Sequence, residues 1–229
     1  ERAAVLQGGA QHAAAGDDVE LREAAGGGVR CEPGRAPAPA EANAIAVWSP
    51  PHACTKQRRW LSEPVCLWSI NIHVGCATEG KEEAAKRFCK NFKRLKKNTR
   101  DRLVVENDDK PSLFTTEDLY DLIYTKIKTP ITFDYHHNWC NPGTLNEEQA
   151  LKLAAKTWPK GIRQCTHYSS AKRVYEDETA KIVKHADFIY DEIKDYGLDI
   201  DVVVEAKAKE QAILRYIKEF ENEKNLILN

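Results

Sequence analysis

Methionine is missing from all 229 residues, the first position included, so the chain reads as a fragment or a processed product. No run approaches the roughly 18 consecutive apolar residues of a transmembrane helix. The opening thirty residues hold no apolar stretch of the secretory type. A soluble, intracellular chain without membrane contact is the expectation. Cysteine is present seven times but in no CxxC pair, which fits reduced thiols better than a disulfide framework or a zinc ribbon. Charge of one sign is also lacking: Lys+Arg 34 against Asp+Glu 35 leaves a net charge of -1. Any contact with nucleic acid must therefore come from a local basic surface. GxGxxG, P-loop, GxSxG and HExxH motifs are absent, removing the usual signatures of nucleotide cofactors, serine hydrolases and zincins.

What is present divides in two. Residues 1–60 are rich in Ala, Gly and Pro without sustained periodicity. Such a stretch buries too little apolar surface to offset its chain entropy, so it reads as a low-complexity or disordered segment. From about residue 65 to 221, β-prone runs alternate with amphipathic stretches. A helix is expected over 80–98 with Ala85, Phe88, Phe92 and Leu95 on one face. Another runs from a Thr115 or Thr116 cap to about Lys128, and a third covers 147–157 behind Asn146. Short helices are expected over 176–184 and 191–197, YHHNWCNPG reads as a loop, and Ala206–Glu221 closes the pattern.

The chemistry lies at the ends of the runs. WSINIH, RLVVE, ITFD, GIRQCTH and DVVVE end in His73, Glu106, Asp134, His167 and Glu205. A strand, its helix and two loops need about 30 residues, which matches the intervals between these positions. The expectation is an α/β fold: a TIM-type (β/α) barrel, incomplete, with about five of the usual eight βα units. In a barrel the carboxyl ends of the strands converge on one face. Three carboxylates and two histidines meeting there would form a multi-metal site. A single acidic strand end is ordinary surface chemistry, but three in succession favour ligation, because a buried carboxylate costs several kcal/mol unless paired or metal-bound. His137, three residues past Asp134, is read as a further ligand, His136 as structural, and His185 as a weaker candidate. Mixed His/carboxylate sets suit Zn²⁺, Mn²⁺ or Fe²⁺. Lys207 and Lys209 stand near the same rim and could meet a substrate phosphate, or be plain surface lysines. The basic stripe Lys86, Lys90, Lys93 and Lys97 reads as the solvated flank of an outer helix.

Taken in order, INIHVG, RLVVENDDK, FDYHHNW, TWP, THYSS, HADFI and DVVVEAKAKE resemble the UV damage endonuclease family of DNA repair enzymes, over roughly residues 65–215. The resemblance implies a TIM-type barrel related to endonuclease IV and up to three divalent ions, manganese first, with zinc or magnesium as alternatives. His73, Glu106, Asp134, His137, His167, His185 and Glu205 match its metal-ligand positions, with Glu106, Asp134 and Glu205 as the catalytic carboxylates. The substrate it implies is damaged double-stranded DNA, nicked 5′ to cyclobutane dimers and 6-4 photoproducts by a monomer. Bound ions would activate water for in-line attack and hold the departing 3′-oxygen. Two departures stand out: nothing in residues 1–60 matches the family's first three βα units, and Cys165 occupies a place where many members carry lysine. The alternatives are a truncated homologue without activity and a metal-dependent sugar isomerase on the same kind of barrel.

Overall fold

The computed structural model describes residues 6–7, 45–48 and 69–221. Five strands run parallel: β3 (Ile70–Ile72), β4 (Leu103–Glu106), β5 (Ile131–Asp134), β6 (Gln164–Tyr168) and β7 (Ile200–Val204). They pair in chain order and curl into a half-barrel. Two further strands, β1 (Leu6–Gln7) and β2 (Ile45–Trp48), extend the sheet antiparallel beyond β7. The segment without sequence patterning thus supplies strands against an available edge; its other residues lie outside those described.

Register decides which strand ends meet. Ile72 stands opposite Val105, which places His73 level with Glu106. Glu106 is opposite Thr132, whereas Asp134 is opposite His167, and His167 opposite Val203. This two-residue step between β4 and β5 is the stagger a tilted, curling sheet requires. Side chains alternate across the sheet. Val105, Ile131, Phe133, Ile200, Val202 and Val204 therefore pack under the helices in the main core. Val104, Cys165 and Val203 take the other face with Trp158, two residues below Glu106, His167 and Glu205. Trp158 Nε1 donates to the Ile131 carbonyl at 2.8 Å, and Thr157 Oγ1 accepts from Ile131 N at 2.8 Å, which ties down the amino end of β5.

The helices follow the sequence reading where capping chemistry is explicit. Thr115 caps Thr116–Leu119 through a capping box with Asp118, and a π-type turn at Tyr120–Tyr124 carries the helix on to Thr125–Ile127. Asn146 and Gln149 form a second capping box at the head of Glu147–Ala155. The first outer helix is shorter than the expected 80–98. It spans Lys81–Phe92, tightens through Arg94 N to Asn91 O and Leu95 N to Phe92 O, and resumes as the single turn Lys97–Arg100.

Five expectations are corrected. YHHNWC is a helix, Tyr135–Cys140, because the Asp134 side chain caps it by accepting from His137 N at 2.7 Å. Only Lys172–Tyr175 is helical after β6, not 176–184. There the Glu176 carboxylate accepts from Asp187 N at 2.6 Å and from Tyr190 Oη at 3.0 Å, and Asp177 accepts from Thr179 N at 3.0 Å. Such local bonds compete with a helix ladder. The 191–197 segment is a turn, with Asp195 Oδ1 accepting from Gly197 N at 2.8 Å and positive φ at Tyr196 and Gly197. The last helix begins at Glu210 rather than Ala206, since Lys207 N and Ala208 N already donate across to Ala186 O and Asp187 O. Among the described cysteines, Cys89, Cys140 and Cys165 are in no disulfide, while Cys76 is disulfide-bonded, against the all-thiol expectation.

Candidate metal centre

Glu106, at the end of β4, is the hub. Its Oε1 lies 3.2 Å from His137 Nδ1 and 3.3 Å from His167 Nδ1, and its Oε2 lies 3.8 Å from His73 Nε2. Asn71, two residues before His73 on the same face of β3, donates its amide to Oε2. His167 Nδ1 is also 3.0 Å from Glu205 Oε1, and His185 Nδ1 is 3.6 Å from Glu205 Oε2. Two sets of ligand atoms are close enough to surround a cation: His73, Glu106 and His137, and Glu106, Asp134 and His167. The fold thus brings together the seven positions singled out in the sequence, with His185 reaching the cluster through Glu205. Lys207 and Lys209 are exposed on the following turn and are not part of it.

The donor set fits a divalent cation on an internal observation. Asp134 is fully buried; its Oδ1 is spent on capping the next helix, but its Oδ2 has no hydrogen-bond partner. Buried carboxylate oxygens are ordinarily satisfied, and an oxygen left over beside Glu106 and His167 is placed for a metal. Carboxylate oxygens mixed with imidazole nitrogens are an ordinary donor set for a divalent first-row ion.

Without a cation the charges settle among themselves. Burial pushes the Glu106 carboxyl up, but the imidazoles of His167 and His73 and hydrogen bonds from His137 and His167 outweigh it and hold it well below the usual range. Burial likewise lowers His137 and His167, yet Asp134, Glu106 and Glu205 hold the first, and Glu106 and Glu205 the second, well above an ordinary histidine. Asp134 goes the other way, raised chiefly by burial. His136 is not part of the cluster. Burial, with His185 and His137 nearby, lowers it to about 4, and its ring stacks on Trp139 at 5.7 Å.

Sequence reasoning missed the residues that hold these groups still. Asn107 is buried; its Nδ2 donates to Asp134 O at 3.0 Å and its Oδ1 accepts from Asp134 N at 2.8 Å, clamping the end of β5. Its own carbonyl lies 2.9 Å from His137 Nδ1. Asp108 Oδ1 sits 2.9 Å from His73 Nδ1, and Asn141 Nδ2 anchors that turn through Lys110 O at 2.9 Å. The available signal was the polar run NDD directly after a buried strand, where side-chain amides and carboxylates have backbone to bind. Cys165 belongs to the apolar floor beneath the cluster, beside Val104, Trp158 and Val203.

The sequence profile of the UV-endonuclease UvdE family matches residues 62–227. The chain belongs to this family. It is 35% identical over 156 residues to a UV-damage endonuclease of Schizosaccharomyces pombe, covering 66% of this chain and 25% of that protein. A UV DNA damage endonuclease of Bacillus velezensis is 35% identical over 160 residues, covering 66% of this chain and 48% of the relative. The crystal structure of SacUVDE aligns with a TM-score of 0.58 at 30% identity, covering 68% of this chain and 52% of that one. The chain therefore spans about half the length, or less, of the relatives it matches. Among its described residues, no helix is long and apolar enough to cross a membrane.

Proposed function

We propose that this chain forms the metal-bearing side of an intracellular DNA repair endonuclease, nicking the phosphodiester backbone 5′ to cyclobutane dimers and 6-4 photoproducts. The observation that carries the reading is the Glu106 hub: one buried carboxylate shared by two cation-sized ligand sets, beside a partnerless Asp134 oxygen. His73, Glu106 and His137 would hold one ion, and Glu106, Asp134 and His167 another, with Glu205 and His185 available to a third. Manganese is the expected occupant; zinc and magnesium are the alternatives. When bound, such ions supply Lewis acidity toward the phosphate and a water of lowered pKa.

The protein's own part is placement. Asn71 fixes one Glu106 oxygen, so that the other stays turned toward His137 and His167. Asn107 holds Asp134 and His137 at a fixed separation, and the Asp134 cap leaves only Oδ2 for a ligand. Val104, Cys165, Val203 and Trp158 close the floor beneath and keep water from that side. Lys207 and Lys209, exposed beside Glu205, are in reach of a phosphate backbone running over the rim.

A second reading has its own support. The relatives carry sequence that this chain does not match, and among the described residues the outer edge of β3 pairs with no strand. On that reading the half-barrel is an inactive homologue. Incubating UV-irradiated supercoiled plasmid with the 229-residue chain and Mn²⁺ separates the two. Nicking of irradiated plasmid only, abolished by chelator, supports the endonuclease; no nicking supports the inactive homologue. Equal cutting of irradiated and untreated plasmid removes the damage specificity.

A further inference from the structure

Exposed apolar bulk is concentrated on one rim. Trp139, Val174, Tyr175 and Ile182 all lie on the excursions that follow β5 and β6, and among the described residues only Leu214 is comparably exposed elsewhere. The carboxylate–imidazole cluster sits at the same strand ends. Trp139 and Ile182 are 48% and 46% exposed, and the segments carrying them meet where Cys140 Sγ, one residue past Trp139, reaches the Ile182 carbonyl at 3.8 Å. An exposed indole offers an apolar body with a polar N–H, the combination enriched where proteins meet partners.

The indole is also fixed in orientation. One face stacks on His136, at 5.7 Å and 16° between planes. His136 packs edge-on against His185 at 5.1 Å and is hydrogen-bonded to the Val183 backbone. His185 in turn faces Glu205. A continuous run of rings therefore leads from the cluster to one flat aromatic face in solvent. Exposed Lys181 and Lys184 flank Ile182 in the chain.

The geometry points to Trp139 as a stacking platform for an unstacked nucleobase close to the phosphate held at the cluster, with Ile182 at its edge and the lysines meeting the backbone. A flat π face with neighbouring positive charge is the usual means of holding a base without reading its sequence. A base leaving a distorted duplex needs a ring to replace the stacking it loses. A protein partner would call for a broader apolar surface than one indole and one isoleucine. This assignment rests on the endonuclease reading and names a contact for its substrate.

The test uses the full 229-residue chain in chelator, so that binding is read without cleavage. Fluorescence anisotropy follows a labelled single-stranded oligodeoxynucleotide, and a matching strand bearing a short run of abasic sites. Trp139→Ala is expected to weaken binding of the base-bearing strand roughly tenfold, about 1.4 kcal/mol, and Trp139→Phe by no more than about threefold. On the abasic strand, wild type and Trp139→Ala should bind alike. Should Trp139→Ala fail to fold, Trp139→Leu, which keeps bulk without a flat ring, carries the same expectation. Unchanged affinity on losing the ring, an equal loss on both strands, or no binding of either strand by wild type would each overturn the assignment. Damage-specific nicking with a neutral Trp139 variant rejects the platform alone. Trp139-dependent binding without nicking rejects the endonuclease reading and leaves the platform standing.

Discussion

Replacing Glu106 by glutamine keeps the size of the side chain and removes the charge on which three imidazoles converge. In the metal-free protein, His137 and His167 stand 3.2 and 3.3 Å from one of its oxygens and His73 stands 3.8 Å from the other. At an effective dielectric of about 20, a charged pair at such range attracts by roughly 4–5 kcal/mol before desolvation. Removing one member of a buried pair costs about 3–5 kcal/mol net. For a domain of this size that is a fall in Tm of roughly 6–20 °C. The pH profile carries the diagnosis. His137 and His167 are raised above 6.5, so their contribution is complete below about pH 6.5 and fades as pH rises through their folded values. Glu106 is lowered from 4.5, so its contribution is present above that value and is lost as pH falls through its folded value. Glu106→Gln should therefore destabilise most between about pH 4.5 and 6.5, and much less in alkali. Urea or thermal unfolding of chelator-treated protein at pH 5.5 and pH 9 reads this directly. An equal loss at both pH values, or none at the lower, would refute the charge-hub reasoning.

Asn107→Ala deserts both the N–H and the carbonyl of Asp134 in a buried place, a loss of about 1–3 kcal/mol for each group. It should lower both stability and Mn²⁺ affinity in calorimetric titration, whereas unchanged affinity would show that Asp134 needs no clamp. Leu119→Ala, on the buried face of the capped helix and in the main core, should cost about 2–5 kcal/mol and leave Mn²⁺ affinity intact. A parallel fall in affinity would show the cluster depends on general rigidity. By NMR, the His136 ring of the metal-free protein should stay neutral down to about pH 4. Because that value lies below the ordinary 6.5, this group withdraws stability as pH falls from about 6.5 to 4. A His136 titration near 6.5 would contradict its packing against Trp139 and His185.

The strands and the ionisable residues at their ends were legible because both signals are local. A buried parallel strand is a short apolar run, and an ionisable residue at its end stands out against it, as in LVVE and ITFD. Thr115 and Asn146 were equally plain, since a capping side chain sits within three residues of the amide it serves. What escaped depended on distant backbone. Glu176 is spent on amides 11 and 12 residues away, so a helical composition over 176–184 forms none. The last helix starts late because 207 and 208 are engaged with 186 and 187. YHHNWC reads as a loop on composition alone, whereas the Asp134 carboxylate in front of it caps it as a helix. Asn107 and Asn71 gave no periodic signal, since their partners, Asp134 and Glu106, are neighbours only through strand register.

On the proposed reading, side chains from successive strand ends share divalent cations around Glu106. Plasma mass spectrometry of the chain after Mn²⁺ loading and gel filtration tests it most directly. Wild type should retain about two ions or more per chain, matching the two ligand sets that meet at Glu106. Glu106→Gln should retain fewer than about one. A wild-type chain that emerges free of metal, or a glutamine variant that holds as much as wild type, would contradict the account.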